Sequence, residues 1–170
     1  MSMAAGKSRR VENSACLVEP GELSDPAFGE LLSYWEARRC GRDMPARADI
    51  DPVHFPRLLP RVFMVRVDHD PLAFVYSLAG GENVEAHGRN FTGMDVRDLD
   101  GWWPGYGSSL HEFYSLVVHG GVPLAASGTM NFVDREFRAF EAIYLPLAAQ
   151  DGEVGHIMGA ALYGPVEAAA

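Results

Sequence analysis

The segment from Met44 to Pro60, MPARADIDPVHFPRLLP, restricts the fold of this chain more than any other, because four of its seventeen residues are proline. Each proline lacks a backbone N–H and fixes φ, and it pushes the residue before it toward extended geometry. The segment is therefore neither a helix nor a central strand. We interpret it as a shaped connector between a helical pattern upstream and a strand pattern downstream.

A helix upstream of the connector is predicted over about 25–40. It begins at Ser24-Asp25-Pro26, where a capping side chain precedes a proline in the first turn, and Gly41 is placed to end it. Its apolar side chains recur at i, i+3, i+4 and i+7 and so lie on one face. This stripe, which must bury against something outside the helix, consists of Phe28, Leu31, Leu32 and Trp35.

Downstream of the connector the pattern predicts a hairpin, a helical region and three further strands. The turn residues Asp68-His69-Asp70-Pro71 separate the two strands of the hairpin. In the helical region, Ser109-x-x-Glu112 is a capping box, which predicts that a helix begins there. The predicted strands cover 61–67, 74–78, 124–133, 137–147 and 154–163, and the predicted helices cover 82–87 and 109–119.

The element order predicts the fold class and the domain organisation. It predicts an α+β fold with a five-stranded antiparallel sheet, the helical region on one face and the early helix on part of the other. A chain of 170 residues is expected to form one such domain, over residues 23–165. Residues 1–22 are expected to be a disordered tail, and residues 166–170 a short C-terminal tail.

The composition and the termini exclude several functions. The formal charge of −9 argues against nucleic-acid binding, which needs clustered lysine and arginine. No apolar run approaches the roughly twenty residues that span a bilayer, and the N-terminus lacks the apolar region of a secretory signal. Cys16 and Cys40 lie far apart, which favours reduced thiols over a disulfide. We therefore expect a cytoplasmic protein with no nucleic-acid partner and no membrane partner.

Several short motifs accompany the connector. They are Tyr34-Trp35, Arg38-Arg39, Pro45-Ala46-Arg47-Ala48-Asp49-Ile50-Asp51-Pro52, Leu59-Pro60, Tyr76-x-Leu78-Ala79-Gly80, Gly88-Arg89 with Thr92-Gly93, and Leu145-Pro146-Leu147. With the element order, these motifs resemble the PAS superfamily, and within it a group of small stand-alone bacterial proteins with the same type of connector. The resemblance covers about residues 24–163. It implies a PAS-like fold and a non-catalytic sensory or ligand-binding module without an attached output domain.

A PAS-like domain binds small molecules between its sheet and its helical region, so the resemblance implies a ligand cavity there. Gly155, Gly159, Ala160 and Ala161 on the last predicted strand would leave room for a ligand. The alternative is that aromatic side chains fill the core, since they dominate packing, and the protein is then a structural interaction domain. The expected lining residues are Phe74, Tyr76, Trp103, His111, Tyr114, Phe140, Tyr144 and Met158.

The resemblance also raises two cofactors. Some PAS domains ligate haem through a histidine, and His87, His111 and His119 are candidates, but nothing in the sequence secures any of them as a ligand. Haem is therefore left open without being favoured. Photoreactive flavin domains carry a cysteine within an Asn-Cys-Arg pattern of the helical region. The comparable stretch here, Gly88-Arg89-Asn90-Phe91, has no cysteine, so we exclude flavin photochemistry and leave the ligand unidentified.

Three groups of polar residues allow more than one interpretation. We interpret Asp68-His69-Asp70 as a solvated turn and not as a metal site, because adjacent residues do not converge on one ion. Glu141 could form an acid–base pair with His111 or His156, which is the basis of an alternative in which the chain is a small enzyme using the same cavity. A third group is interpreted as pinning the connector to the sheet in preference to binding a polar ligand. Its members are Arg47, Asp49, Asp51 and Pro52.

A stand-alone sensory module must act through other molecules. We expect it to signal through self-association or through an unidentified signalling protein. Flanking helices of PAS-like domains often pack across a two-fold axis, so the resemblance implies a homodimer through the apolar stripe of the helix at 25–40. Polar substitutions at Leu32 and Trp35 would then weaken the dimer.

Overall fold

The structure, a computed structural model, describes residues 15–130 and 138–165 of the chain. The strands in these residues are β1 (Cys16–Val18), β2 (Val62–Asp68), β3 (Ala73–Ala79), β4 (Leu124–Thr129), β5 (Arg138–Ala148) and β6 (Val154–Pro165). The α-helices are α1 (Pro26–Arg38), α2 (Gly81–His87) and α3 (Tyr106–Gly120). Short 3-10 turns occupy much of the connector and the segment before α3.

The strands form one antiparallel sheet in the order β1-β4-β5-β6-β2-β3. Strands β2 and β3 form the predicted hairpin, while β4, β5 and β6 form the predicted meander. Strand β6 then pairs with β2, which joins the two halves of the sheet. The α+β, PAS-like fold class is therefore confirmed. The predictions for residues 1–14, 131–137 and 166–170 lie outside the described residues.

Strand β1 corrects the predicted number of strands from five to six among the described residues. It lies within the segment predicted to be a disordered tail and pairs with β4 at the edge of the sheet, with Leu17 opposite Ala126. A three-residue edge strand buries little apolar surface. It therefore leaves no periodic pattern from which it could be predicted.

Helix α1 packs its apolar stripe on the sheet of its own chain. Phe28, Leu31 and Trp35 are 4%, 1% and 1% exposed, and the Trp35 indole N–H donates to the Pro146 carbonyl at 2.8 Å. The prediction that these three side chains form a dimer surface is therefore corrected. They already pack on the face of the sheet that lies opposite α3. Leu32 is the stripe residue that stays partly exposed. The homodimer itself stays a prediction.

The aspartates of the connector bind its own backbone. Asp49 accepts from the Ala46 N–H at 2.9 Å, and Asp51 accepts from the Val53 N–H at 3.0 Å. The Ala46 hydrogen bond and a second one from Arg42 lower the pKa of the Asp49 carboxyl. These are local caps of 3-10 turns, a role that suits a short acceptor side chain.

One further contact attaches the connector to the sheet, and another closes a turn within the connector itself. The Ala148 N–H at the end of β5 donates to the Pro45 carbonyl at 2.8 Å. The Arg47 guanidinium donates to the Ile50 carbonyl at 3.4 Å, and Pro52 opens the turn that follows. The prolines therefore lie in turns beside the sheet and not in a strand of it.

Helix α3 begins at Tyr106, three residues before its predicted start. The capping-box interpretation of Ser109 and Glu112 is therefore wrong, because both residues lie inside the helix. The cap comes instead from Asp100, whose carboxylate accepts from the Ser108 N–H at 3.1 Å and from the Ser108 hydroxyl. A cap supplied from eight residues upstream has no local sequence motif.

Gly107 allows α3 to approach the preceding 3-10 turn, Val96–Gly101, more closely than any other residue would. A Cβ at Gly107 would overlap the Val96 carbonyl oxygen, which is backbone and cannot rotate away. We expect Gly107→Ala to lower the free energy of unfolding by about 1–3 kcal/mol in urea denaturation. Gly29→Ala in α1, where nothing lies within 4 Å of a new Cβ, should be neutral or stabilising. Equal effects of the two substitutions would contradict this explanation.

Candidate functional site

A cavity of about 170 Å³ lies between the sheet and helices α2 and α3. Its floor is a row of three alanines, Ala126, Ala142 and Ala161, which are paired directly across β4, β5 and β6. Paired residues of an antiparallel sheet point to the same face, so the three methyl groups face the helices together. We call these residues the alanine row. Larger side chains at the same positions would fill the cavity.

Aromatic rings form most of the cavity wall. Four phenylalanines and five tyrosines border it among the described residues. The rings of Tyr76 and Phe91 meet edge-on with centroids 4.6 Å apart, and the Tyr76 and Tyr114 hydroxyls lie 2.8 Å apart in a hydrogen bond. Edge-to-face pairs of this kind restrict the rotation of each ring. The wall is therefore largely preformed.

Asn83 on α2 closes one end of the cavity and is 1% exposed. Its amide group donates to the Arg61 carbonyl at 3.0 Å and to the Val62 carbonyl at 3.3 Å. Its side-chain oxygen accepts from the Tyr163 hydroxyl at 2.7 Å. A buried polar side chain with all its hydrogen bonds made holds its neighbours in one arrangement. Asn83 therefore joins α2 to β2 and β6.

His87, also on α2, extends this polar group along the cavity. Its Nδ1 lies 2.7 Å from the Asn83 carbonyl oxygen, and its Nε2 lies 3.0 Å from the Tyr106 hydroxyl. A carbonyl oxygen can only accept, so Nδ1 carries the proton and donates. In the neutral ring, Nε2 then accepts from Tyr106. Both ring nitrogens are therefore engaged within the protein.

The cavity offers hydroxyl groups but no charge. No Asp, Glu, Lys or Arg side chain borders it in the described part of the chain. Burial raises the pKa of the Tyr76, Tyr114 and Tyr144 hydroxyls well above the ordinary value for tyrosine. These phenols therefore stay protonated at physiological pH.

Tyr144 differs from the other tyrosines of the wall. It is 7% exposed, and its ring meets Phe63, Phe113 and Tyr114 with centroids 5.8, 4.5 and 5.9 Å away. Its hydroxyl has no hydrogen-bond partner among the described residues. The oxygen is not one of the fully enclosed polar atoms that lack a partner, so it meets the open volume of the cavity. The group is therefore available to a molecule that occupies the cavity.

Half of the residues predicted to line the cavity border it, namely Tyr76, Tyr114, Phe140 and Tyr144. Of the alanine row, Ala161 was predicted to leave room for a ligand, whereas Ala126, Ala142 and Asn83 were not predicted. Alternation along β5 places Ala142 on the same face as Phe140 and Tyr144. That periodicity was the signal from which one alanine of the floor could have been found.

The other four predicted lining residues lie elsewhere, which corrects their assignment. The Phe74 ring is fully buried against the rings of His111 and Tyr114, behind the wall. Met158 pairs with Leu145 on the opposite face of the sheet, where it packs under α1. Trp103 packs on two rings of the wall and does not border the cavity itself, with its ring centroid 5.7 Å from that of His87 and 5.8 Å from that of Tyr106.

The small residues of β6 contribute less room than predicted. A Cβ at Gly159 would overlap the Phe63 ring, so that ring already occupies the space which the glycine leaves. A Cβ at Gly155 would lie 2.8 Å from the Ala149 Cβ. Ala160 faces the other side of the sheet, and Ala161 borders the cavity. Of these four residues, Ala161 alone therefore borders the cavity.

The family model of the PAS domain matches residues 23–162, which is most of the chain. The chain belongs to the PAS domain family. Membership indicates a sensory or signalling module. A solved structure of an RNA-binding light-oxygen-voltage receptor is similar over 69% of this chain and 35% of the receptor, with 17% identity and a TM-score of 0.41. Among the curated proteins, none matches the chain.

The acid–base pairs considered for an enzyme do not form in this PAS domain. Glu141 faces α1 and accepts from the Ser24 N–H at 3.1 Å and from the Ser24 hydroxyl at 2.7 Å. His111 lies on α3, across the sheet from Glu141, and accepts from Arg97 at 2.8 Å. His156 shares the face of Glu141 but lies about 20 Å away by strand register. Neither Glu141 nor His111 borders the cavity.

Two observations bear on a cofactor in the PAS cavity, namely the volume of the cavity and the histidine that borders it. Its volume of about 170 Å³ is below the range of about 300–1,000 Å³ found for drug-sized ligands. Of the three candidate histidines, His87 borders the cavity while His111 and His119 do not. A metal bond from His87 would require the ring to lose its hydrogen bond with the Asn83 carbonyl or with the Tyr106 hydroxyl.

The turn between β2 and β3 is held by protein contacts. His69 donates from Nε2 to the Val154 carbonyl at 2.9 Å, and Arg66 pairs with Asp68 at 2.9 Å. In the described part of the chain, no group of three His, Cys, Asp or Glu side chains is arranged to hold a metal ion.

None of the described helices has the length and apolar character needed to cross a membrane.

Proposed function

We propose that this PAS domain is a non-catalytic sensory module that binds a small molecule over the alanine row. The observation that carries the proposal is a preformed cavity of about 170 Å³ into which the Tyr144 hydroxyl opens without a partner among the described residues. An apolar cavity of about 150 Å³ is large enough to bind benzene. A ligand of that size class would fill the volume, and one that carries a hydrogen-bond acceptor would also accept from the hydroxyl.

We also propose that ligand occupancy is passed to a second copy of the chain or to a partner protein. The polar contacts of the cavity support this proposal. Asn83 donates to the Arg61 carbonyl, and the Arg61 guanidinium pairs with Asp25 at the start of α1 and with Glu82 on α2, each at 3.3 Å. Arg61 therefore connects Asn83 of the cavity wall with Asp25, the residue that caps α1, and with Glu82 on α2.

Ala142→Leu is expected to fill the cavity and to abolish ligand uptake. Leucine adds three carbon atoms at the centre of the alanine row, where they extend into open volume and not into packed atoms. Toluene serves as the probe in thermal denaturation. At about ten times its dissociation constant, toluene should raise the melting temperature of the unmodified protein by about 3–6 °C. It should leave the melting temperature of Ala142→Leu unchanged.

Ala37→Leu is the matched control, because it adds the same atoms on the exposed side of α1. It should respond to toluene as the unmodified protein does. An equal response of Ala142→Leu would mean that toluene binds outside the cavity, against the proposal. No response of the unmodified protein would favour the alternative of a structural interaction domain.

A further inference from the structure

Two tyrosine hydroxyl hydrogens of the cavity wall lack an acceptor in the described chain. In the pair formed by Tyr76 and Tyr114, one hydroxyl donates to the other, and the hydrogen of the accepting hydroxyl is left over. The Tyr144 hydroxyl has no partner there. Tyr163, by contrast, donates to Asn83. The wall therefore presents donors for which an occupant must supply an acceptor.

The same wall excludes charge. No Asp, Glu, Lys or Arg side chain borders the cavity among the described residues, and the buried tyrosines stay neutral. His87 also borders it, but both of its ring nitrogens are engaged by Asn83 and Tyr106 and not by an occupant. Moving an ion out of water into such surroundings costs several kcal/mol when no opposite charge meets it. The occupant is therefore uncharged.

The shape of the cavity suits one flat ring. The alanine row gives a floor of methyl groups, and Phe91 and Phe113 stand in the wall with their rings edge-on to Tyr76 and Tyr144. A six-membered ring on this floor meets the surrounding rings in offset or edge-to-face contacts, which aromatic pairs prefer. The volume of about 170 Å³ leaves room for a ring with one small substituent.

We propose that the ligand is a small, uncharged, single-ring aromatic molecule that carries a hydrogen-bond acceptor, and that the Tyr144 hydroxyl donates to this acceptor. The proposal rests on the proposed function, because it names the ligand class of the same cavity. Tyr144 is then the residue that distinguishes an acceptor-bearing ring from a plain hydrocarbon. The alanine row and the aromatic wall hold the ring in either case.

Four probes that share a phenyl ring and one attached carbon test the ligand class. Toluene has no acceptor, benzonitrile has a neutral acceptor, and benzoate and benzylamine carry opposite charges at pH 7. Dissociation constants are measured by calorimetry on the full chain. Benzonitrile should bind about fivefold more tightly than toluene, which is the net effect of one hydrogen bond. Benzoate and benzylamine should bind at least about 100-fold more weakly than toluene.

Tyr144→Phe tests the role of the hydroxyl. It removes one unpaired oxygen from the wall and should keep the fold, because the ring contacts with Phe63, Phe113 and Tyr114 remain. In this variant, benzonitrile and toluene should bind equally well. Tyr34→Phe, outside the cavity, is the matched control and should keep the preference for benzonitrile.

The outcomes separate this inference from the proposed function. If toluene binds and Ala142→Leu abolishes its binding, the cavity is a ligand site. Equal affinity for toluene and benzonitrile, or an unchanged preference in Tyr144→Phe, would then overturn the ligand class alone. Tight binding of benzoate or benzylamine would overturn it as well. If none of the four probes binds the unmodified protein, both proposals fail.

Discussion

Replacing Trp35 with alanine is expected to lower the free energy of unfolding by about 3–5 kcal/mol, the range for removing a buried tryptophan. The side chain is 1% exposed, and its indole N–H donates to the Pro146 carbonyl at 2.8 Å. The substitution opens a cavity between α1 and β5 and leaves that carbonyl without its donor. Urea denaturation followed by circular dichroism measures the change.

Two further variants separate the contributions to this effect. Trp35→Phe keeps most of the buried ring but removes the indole N–H, and we expect a loss of about 1–2 kcal/mol. Ser33→Ala changes an exposed residue of the same helix and should stay within about 0.5 kcal/mol of the unmodified protein. A Trp35→Ala variant as stable as Ser33→Ala would contradict the packing of α1 on the sheet.

The same experiment distinguishes a role in folding from a role in a dimer. A residue that stabilises the monomer shifts the unfolding midpoint equally at all protein concentrations, whereas a dimer contact makes the shift concentration-dependent. We expect the loss for Trp35→Ala to stay constant over about a hundredfold range of concentration. If the loss in free energy of unfolding instead grows with protein concentration, Trp35 contributes to a dimer contact.

The parts of this fold that follow one local pattern could be predicted from the sequence. The spacing of Phe28, Leu31 and Trp35 indicates a helix with one buried face, and the structure places that face on the sheet. The pattern shows that the apolar face of the helix must pack on some surface. It does not show whether that surface belongs to the same chain or to a second copy. For that reason the helix was predicted correctly, while its assignment to a dimer was not supported.

The cavity could be predicted only in part, because it depends on strand register. Tyr76 and Tyr144 were found through their aromatic character and their place on predicted strands. The alanine row exists because Ala126, Ala142 and Ala161 are brought opposite one another across three strands. A single sequence does not contain the pairing between strands, and a shift by one residue would turn each alanine to the other face.

Contacts between residues that are distant in the sequence could not be predicted either. Asp100 caps α3 from eight positions upstream of Ser108, so the local capping box at Ser109 was the stronger signal although it was wrong. Asn83 lies in a segment predicted as a short helix, where asparagine is ordinary. Its importance comes from Tyr163, which is 80 positions further along the chain.

Asn83→Leu is expected to lower the free energy of unfolding by about 2–4 kcal/mol, although it keeps the volume of the side chain. The amide loses its hydrogen bonds to the Arg61 and Val62 carbonyls, and the Tyr163 hydroxyl loses its acceptor. These groups are buried, so water does not replace the lost partner at low cost. Urea denaturation measures the loss.

A double-mutant cycle tests whether Asn83 acts through Tyr163. Tyr163→Phe alone leaves the Asn83 side-chain oxygen unpaired and should cost about 1–2 kcal/mol. Removing both polar partners leaves neither one unsatisfied, so the double variant should be more stable than the sum of the two losses predicts, by about 1 kcal/mol. Glu85→Leu, exposed on the same helix, is the control and should change stability by less than about 0.5 kcal/mol. Additive losses in the cycle would show that the two side chains are not coupled, and Asn83 would then stabilise the domain through β2 alone.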